Sequence, residues 1–402
     1  MSRLDELIAE LCPHGVEYKS LGEIATISRG GNFQKKDFCD KGIPCIHYGQ
    51  IYTKYGLFAD KTITFITEER AKKQKFAKTN DIVMAVTSEN IEDVCKCLAW
   101  LGNEDVAVSG HSAIISHNQN PKYLVHYFHS KMFFAQKRKL AHGTKVIEVT
   151  PDTLKSIRIP VPPLEVQREI VHILDSFTLL TAELTAELTA RKKQYEFYRD
   201  KLLFVRKDIP MKKIGDLCIV NQGLQIPISE RFTSPGKKRH FYITVQFLKN
   251  LNSSEKYYIE NPPESSLCNE NDILVTRTGS TGKIITGVKG CFHNNFFKIN
   301  ILDESKLDRR YFYHVLSSTR MHNIMLTVAS GGTVPDLPHK KFYNLTIPVP
   351  SIDVQQRLVK VLDNFESICT DLNIGLPAEI EARKKQYEYY RDKLLSFKEL
   401  PK

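Results

Sequence analysis

Apolar side chains recur at alternating steps of four and three along one stretch of the chain: Ile170, Leu174, Phe177, Leu184, Leu188, Tyr195, Tyr198 and Leu202, with Thr181 and Arg191 filling the two remaining places. That 4-3 spacing is a coiled-coil seam rather than the broader stripe of a helix lying on a globular core. The prolines of "PVPP" at 160–163 forbid the helix from extending backwards. A helix of about 40 residues is ~60 Å long at ~1.5 Å per residue, too long to fold back on its own domain. A second seam begins at Leu358, Leu362, Phe365, Cys369, Leu372 and Leu376 and resumes at Ile380, Arg383, Tyr387, Tyr390 and Leu394. Its extra step of four is a stutter and falls on "GLP" (375–377), whose Gly and Pro predict an interruption or kink.

The two seams are one sequence written twice. "ARKKQYEFYRDKLL" (190–203) and "ARKKQYEYYRDKLL" (382–395) agree at 13 of 14 positions. "IPVPPLEVQREIVHILDSF" (159–177) and "IPVPSIDVQQRLVKVLDNF" (347–365) agree at 10 of 19, shifted by 188 residues. The same shift pairs His126 with His314, Gly143 with Gly331 and Val146 with Val334. With small insertions the match reaches "NDIVMAVT" against "NDILVTRT" and "LGEIATISRGG" against "IGDLCIVNQGL". A unit of roughly 190 residues has been duplicated, as a repeat search is meant to reveal.

The parts before each long helix alternate differently. "DIVMAVT", "DILVTRT", "SAIIS" and "FFKINIL" are short β-branched runs bounded by Gly, Asn and Ser, hence strands. "PKYLVHYFHSKMFFAQKRKLA" (121–141) opens on Pro and keeps helical spacing, hence one helix. The fold class is mixed α/β (α+β): two globular domains separated by two long antiparallel coiled-coil helices with a pseudo-twofold repeat. The boundaries read as 1–160, 161–206, 207–348 and 349–402.

Composition is that of a globular protein, with 42% hydrophobic and 26% charged residues. The net charge of +11 points to a polyanionic partner, nucleic acid before others. Nine cysteines without a C-x-x-C pair argue against zinc and against a disulfide framework. No apolar run suits a signal peptide or a membrane span, so a cytoplasmic protein without membrane contact is expected. Three stretches tempt an enzymatic reading. "NPPE" (261–264) has Glu where an amino-methyltransferase needs a stacking aromatic, and "GSTGK" (279–283) lacks the first glycine and the hydroxyl of a phosphate loop, so it reads as a hairpin turn. "HYFH" (126–129) keeps only its first His in the second copy, and no metal is expected. Catalytic residues are therefore expected to be absent.

Matching helices behind domains with divergent loops suggest a ruler that holds two different readers, and a pseudo-twofold object suits duplex DNA. "TAELTAEL" (181–188) adds ~6 Å of rod per four-residue copy, one to two base pairs of spacer. Base reading calls for Arg, Lys, Asn or Gln at groove depth with other polar groups on phosphate. Candidates in the first half are Arg29, Lys35, Lys36, Tyr48, Gln50, Tyr52, Lys54, Ser88, Asn90 and Lys145. In the second half they are Gln222, Gln225, Lys237, Lys238, Arg239, Gln246, Arg277, Thr278, Ser280, Thr281 and Lys283, with Arg277, at the mouth of a glycine-rich turn, the sharpest. His111 and His293 stand at comparable places before a strand.

Through "IPVPPLEVQREI", "TAELTAEL", "ARKKQYEFYRDKLL" and their second copies, the chain resembles, over its whole length, a specificity subunit of a type I restriction–modification system. The resemblance implies two target-recognition domains alternating with conserved helical regions, and double-stranded DNA with a bipartite site. It also implies two methylation subunits acting on adenine and two restriction–translocation subunits, with S-adenosylmethionine, ATP and Mg on those partners and no cofactor here. Docking of the methylation subunits would use Arg191, Lys192, Tyr195, Tyr198 and Arg199 and their counterparts Arg383, Lys384, Tyr387, Tyr390 and Arg391. A self-contained DNA methyltransferase or restriction protein, and a coiled-coil scaffold that binds no DNA, are the alternatives.

Overall fold

The computed structural model describes residues 2–204, 208–249, 256–332 and 334–401. Its principal helices are α1 (Pro121–Phe128), α2 (Lys131–Leu140), α3 (Leu164–Phe204), α4 (Arg309–Ser317), α5 (Thr319–Val328), α6 (Ile352–Thr370) and α7 (Leu376–Leu394). Contacts divide the chain into two compact units, Met1–Leu184 with Ile380–Lys402, and Thr185–Glu379. The cuts fall inside α3 and α7, so each unit joins one globular part to the start of its own long helix and to the tail of the other copy's.

Unit 1 carries two five-stranded sheets. In the first, Ala25–Arg29, Ser112–His117, Ile82–Ala85, Cys97–Trp100 and Phe58–Ala59 lie side by side; the middle pairings are antiparallel, with Ile27 opposite Ile115 and Met84 opposite Ala113. In the second, Ile43–Ile46 runs parallel to Val106–Val108, with Ile46 opposite Val108. Unit 2 repeats both with one strand fewer each: Cys218–Gln222, Phe296–Ile301 and Ile273–Thr276 are neighbours in one, and Arg239–Ile243 runs parallel to Gly290–Phe292 in the other. "GSTGK" is the turn between the antiparallel strands Ile273–Thr276 and Ile284–Ile285, as its sequence predicts. The strands expected from β-branched runs all form. The expected single helix at 121–141 is instead two. Ser130 breaks it by accepting a bond from the Phe133 amide, and Asp392 accepts one from the Lys131 amide, so a cap stands where the apolar period alone would run on.

The 41-residue α3 forms as the seam predicts. The second copy breaks earlier than its Gly-Pro implies: α6 ends at Thr370, and α7 starts at Leu376, with Pro377 in its first turn. Gly375 is required there, because a Cβ would lie 2.6 Å from the Ser367 carbonyl oxygen. Inside unit 2 the two helices run antiparallel. Tyr198 faces Phe365 with ring centroids 6.4 Å apart, while Arg191 and Lys192 lie near Cys369.

Past Tyr195 the seam is not the predicted one. Tyr198 and Leu202 are 41% and 39% exposed, whereas Arg199 and Leu203 are 8% and 1% exposed. In the second copy Arg391 and Leu395 are likewise the buried positions. The buried line advances by fours because here the tail packs on a globular domain as well as on a partner helix. Four residues turn a helix through more than a full revolution, which rotates the buried face away from a 4-3 seam.

The docking is polar at its centre and the same in both units. In unit 2 the Tyr195 hydroxyl lies 3.2 Å from His314 Nδ1 on α4, and His314 Nε2 lies 2.7 Å from Asp363 on α6. In unit 1 Tyr387 meets His126 Nδ1 at 2.8 Å, and His126 Nε2 lies 3.6 Å from Asp175. A basic residue one turn earlier sits on each carboxylate: Lys122 on Asp175 at 2.5 Å, Arg310 on Asp363 at 2.5 Å. One residue row further, Asp392 caps α2 and Asp200 accepts from the amides of Thr319 and Arg320 at the start of α5. In unit 2 the geometry fixes the tautomer: tyrosine donates to Nδ1, and the Nε2 proton points to the carboxylate, whereas in unit 1 Nε2 and the carboxylate stand beyond hydrogen-bond distance. Burial pushes both histidine pKa values below 6.5 against the pull of the aspartates, so both rings are neutral. The carboxyls stay below their usual range although burial opposes it, through bonds to His126 and Lys122 in one case and to Arg310 and His314 in the other. Burial raises both tyrosines to about 12.

The unfolded chain takes up these histidine protons near 6.5, and the folded chain does so only at lower pH. Below 6.5 the unfolded state therefore binds more protons, and stability falls as pH falls. Thermal unfolding at about pH 7.5 and about pH 5.5 should show that loss. It should be smaller in the variant His126→Gln/His314→Gln; equal losses in the variant and the unaltered chain would contradict the assignment.

Candidate nucleic-acid interface

The cleft of unit 1 follows from two glycines. Strand Ala25–Arg29 ends at Gly30 and Gly31, whose amides bond the carbonyls of Ser112 and Val108 at 2.9 and 2.6 Å. A Cβ on Gly30 would stand 2.2 Å from the Ser109 carbonyl oxygen, so only glycine lets the two segments cross. The parallel pairing of Ile46 with Val108 brings residues 47–48 beside residues 109–111, and the Tyr48 amide donates to Ser109 Oγ at 2.9 Å. The rings of His47 and Tyr48 lie 4.5 Å apart, those of Tyr48 and His111 5.0 Å. Arg29, Lys35 and Lys36 complete the wall of a cleft of about 730 Å³. Burial, then the charges of Lys35 and His111, bring His47 down to about 4, which leaves it a neutral ring. Clustered, tilted rings with exposed cations around them suit a nucleic-acid backbone and bases.

Four of the sequence candidates, Arg29, Lys35, Lys36 and Tyr48, meet in this cleft. Gln50 and Tyr52 turn inward, which corrects the expectation for them. Gln50 is buried, accepting from the His47 amide and donating to Thr64. Tyr52 donates its hydroxyl to the Thr87 carbonyl at 2.7 Å. Asn90 uses its amide on Asp93, and Ser88 is half-buried beside it. Lys54 is exposed at the end of the helix Tyr48–Thr53, and Lys145 is exposed in the hairpin 143–147. Sequence reasoning passed over His47 and placed His111 beside His293 before a strand without assigning it a role; the "RGG" that forces the crossing was the available signal.

Unit 2 crosses in the same way. Gly223 bonds Phe296, and Leu224 bonds Phe292 and accepts from Asn294. Strand register places Gln222 where unit 1 has Arg29, Val245 where it has Tyr48, and Asn295 where it has His111. Gln225 accepts from Asn294 Nδ2 at 2.9 Å, giving an exposed amide pair. Lys237, Lys238 and Gln246 are exposed, while Arg239 lies over the Phe232 ring and pairs with Glu260. Arg277 is not free: Nε and Nη2 grip Asp336 at 2.7 and 3.2 Å. Thr278 donates to Asn295, and Lys283 is exposed. Ser280 lines a cleft of about 650 Å³ beneath the turn. Thr281 is buried and bonds Pro335, so it is corrected to a structural role. His314, Asp363 and Glu366 could hold a metal ion by distance, but Arg310 bonds both carboxylates and supplies the positive charge.

The docking candidates also need correction. Tyr195, Arg199 and Arg391 are buried, and Tyr387 is spent on His126, so each of these four packs inside its own unit. Arg199 and Arg391 lie over the rings of Tyr195 and Tyr387 at 5.0 and 5.5 Å. Tyr390 stacks on Phe177 at 5.3 Å. Arg191, Lys192 and Lys384 are exposed; Tyr198 is partly covered, and Arg383 bonds Gln386. Phe197 and Tyr389, which the sequence reading did not single out, are each 62% exposed at matching positions. They are flanked in both copies by exposed Lys193 and Glu196, Lys385 and Glu388.

Among the described residues, no helix is long and apolar enough to cross a membrane. The family model described as "Type I restriction modification DNA specificity domain" matches twice, at 13–191 and 206–382. The chain is 35% identical over 270 residues to the type I restriction enzyme EcoR124I/EcoR124II specificity subunit of Escherichia coli, covering 60% of this chain and 63% of that one. It thus spans less than two thirds of that relative's length. It is 32% identical over 310 residues to a putative type I restriction enzyme specificity subunit of Haemophilus influenzae, covering 74% and 76%. A solved chain described under the structural basis of complex assembly and conformational transition of the type I R-M system shares its fold at TM-score 0.64, with 17% identity over 95% of this chain and 97% of that one. Two matches of one domain model on two units of one frame settle the kinship: this chain belongs to the family of type I restriction–modification specificity subunits.

Proposed function

We propose that the chain reads a two-part duplex DNA site, one block per unit, and presents that DNA to methylation subunits carried on the exposed faces of its long helices. The observation behind this reading is a contrast between frame and wall. Junctions, capping aspartates and the glycine crossing are the same in both units, whereas the positions held by Arg29, Tyr48 and His111 in one are held by Gln222, Val245 and Asn295 in the other. One frame with two walls is what reading two unlike sequences requires. The excess of basic residues supplies the sequence-independent attraction to phosphate. The relatives' description as specificity subunits supports the same reading.

Adenine methylation with S-adenosylmethionine, and ATP- and Mg-dependent restriction, belong in this proposal to partner subunits, two of each kind. Exposed aromatics repeated at identical places suit one kind of partner met twice. Replacing Phe197 and Tyr389 by Ala should weaken binding of the methylation subunit about tenfold or more, as for buried interface aromatics. Thermal unfolding of the isolated chain should barely move, because both rings are exposed. Unchanged affinity would place the docking face elsewhere.

The test of the reading is base-resolution methylation mapping of DNA from cells that express the chain with its methylation subunit. Two short blocks around a fixed spacer are expected. Deleting one "TAEL" from α3 should shorten the spacer by one to two base pairs and leave both blocks unchanged. A single contiguous motif with an active partner would overturn the two-reader reading.

A further inference from the structure

Two residues after the end of α2, and again after α5, the chain makes the same small hairpin. His142 and Glu148 exchange backbone bonds at 3.0 and 2.8 Å; Ser330 and Asp336 do so at 2.8 and 2.7 Å. Both turn on a glycine with positive φ, Gly143 at 107° and Gly331 at 109°. The closing residue is acidic in both, and both acids sit on an arginine. The arginines, however, come from different strands: Arg29 ends the strand Ala25–Arg29, whereas Arg277 follows the strand Ile273–Thr276. Strand register puts Gln222 at the place of Arg29 and Val86 at the place of Arg277. Through the duplication the carboxylate stayed in place while its arginine moved.

An arginine held by a carboxylate keeps half of its fork. Asp336 takes Nε and Nη2 of Arg277, leaving Nη1 and the second Nη2 proton, and the side chain remains 33% exposed. That outer edge has two parallel donors, the pattern that pairs with O6 and N7 of guanine in the major groove. The buttress fixes the plane of the guanidinium, so less freedom is lost on binding.

We propose that Glu148 and Asp336 are positioning residues that aim Arg29 and Arg277 at guanines, one in each block and at different depths in the two blocks. This rests on the DNA-reading function proposed above. The experiment uses the chain assembled with its methylation subunits on a duplex library randomised through both blocks, read by base-resolved methylation. Asp336→Asn and Arg277→Ala should each relax one G·C position of one block by about ten- to a hundredfold, at the same base pair, and leave the other block alone. The double variant should do no worse than either, since the two act as a unit. Glu148→Gln and Arg29→Ala should do the same in the other block. Arg277→Lys keeps the charge and the contact but loses the fork, so it should lose the same position even if Asp336→Asn folds poorly. Asp336→Glu should restore it. A motif unchanged by Arg277→Lys, or an even loss at all positions with Asp336→Asn, would overturn the proposal. An unaltered complex that methylates no bipartite site would remove the reading beneath it, a result distinguishable because no variant is involved.

Discussion

Each globular part of this chain is closed by a tyrosine that its own half of the sequence does not supply. Tyr387 reaches His126, and Tyr195 reaches His314, and on the far side of each ring stands an aspartate from the helix that follows that domain. Three elements distant in sequence meet at one imidazole. His314 has a partner on each nitrogen, and removing either would leave a polar atom in an apolar setting. Around this point lie the large buried rings and aliphatics of each core, Tyr123, Phe133, Leu174 and Leu395 in one unit, Tyr311, Phe342, Leu362 and Leu203 in the other. The polar centre fixes register, and the apolar surround supplies most of the stability.

Once register is fixed, the sheets carry the clefts in a set place. The glycine crossing and the parallel strand pair behind it are made by backbone, so the same crossing stands with Arg29, Tyr48 and His111 in one unit and with Gln222, Val245 and Asn295 at those positions in the other. Reading function accumulates on loops for the same reason that loops vary: backbone there is satisfied locally, and side chains are free to differ. The hairpin acids Glu148 and Asp336 hold equivalent places among these divergent side chains, each paired with an arginine.

The periodic features were legible in the sequence. The duplication, the 41-residue helix and the strands at 82–85, 112–117, 273–276 and 296–301 follow from spacing and β-branching alone. What spacing could not carry is direction. The tyrosines of the tail fit a coiled-coil seam, and nothing local says that the buried line will shift onto Arg199 and Leu203 to meet a domain. The fate of polar loop residues was equally hidden. Gln50 and Thr281 have the chemistry of base readers, but a short bond to Thr64 or Pro335 turns them inward. Arg277 stood out, yet its acid lies 59 residues away, beyond any local pattern. The His126–His314 pairing, by contrast, was visible as a shift of 188 long before its partner tyrosines were.

Hydroxyl-radical footprinting of the chain, assembled with its methylation subunits on a duplex carrying the mapped site, tests the central claim most directly. Two protected blocks separated by accessible backbone would be the imprint of two readers held apart by helices. One continuous protected block would contradict the account, because it would mean that the two units act on the duplex as a single surface.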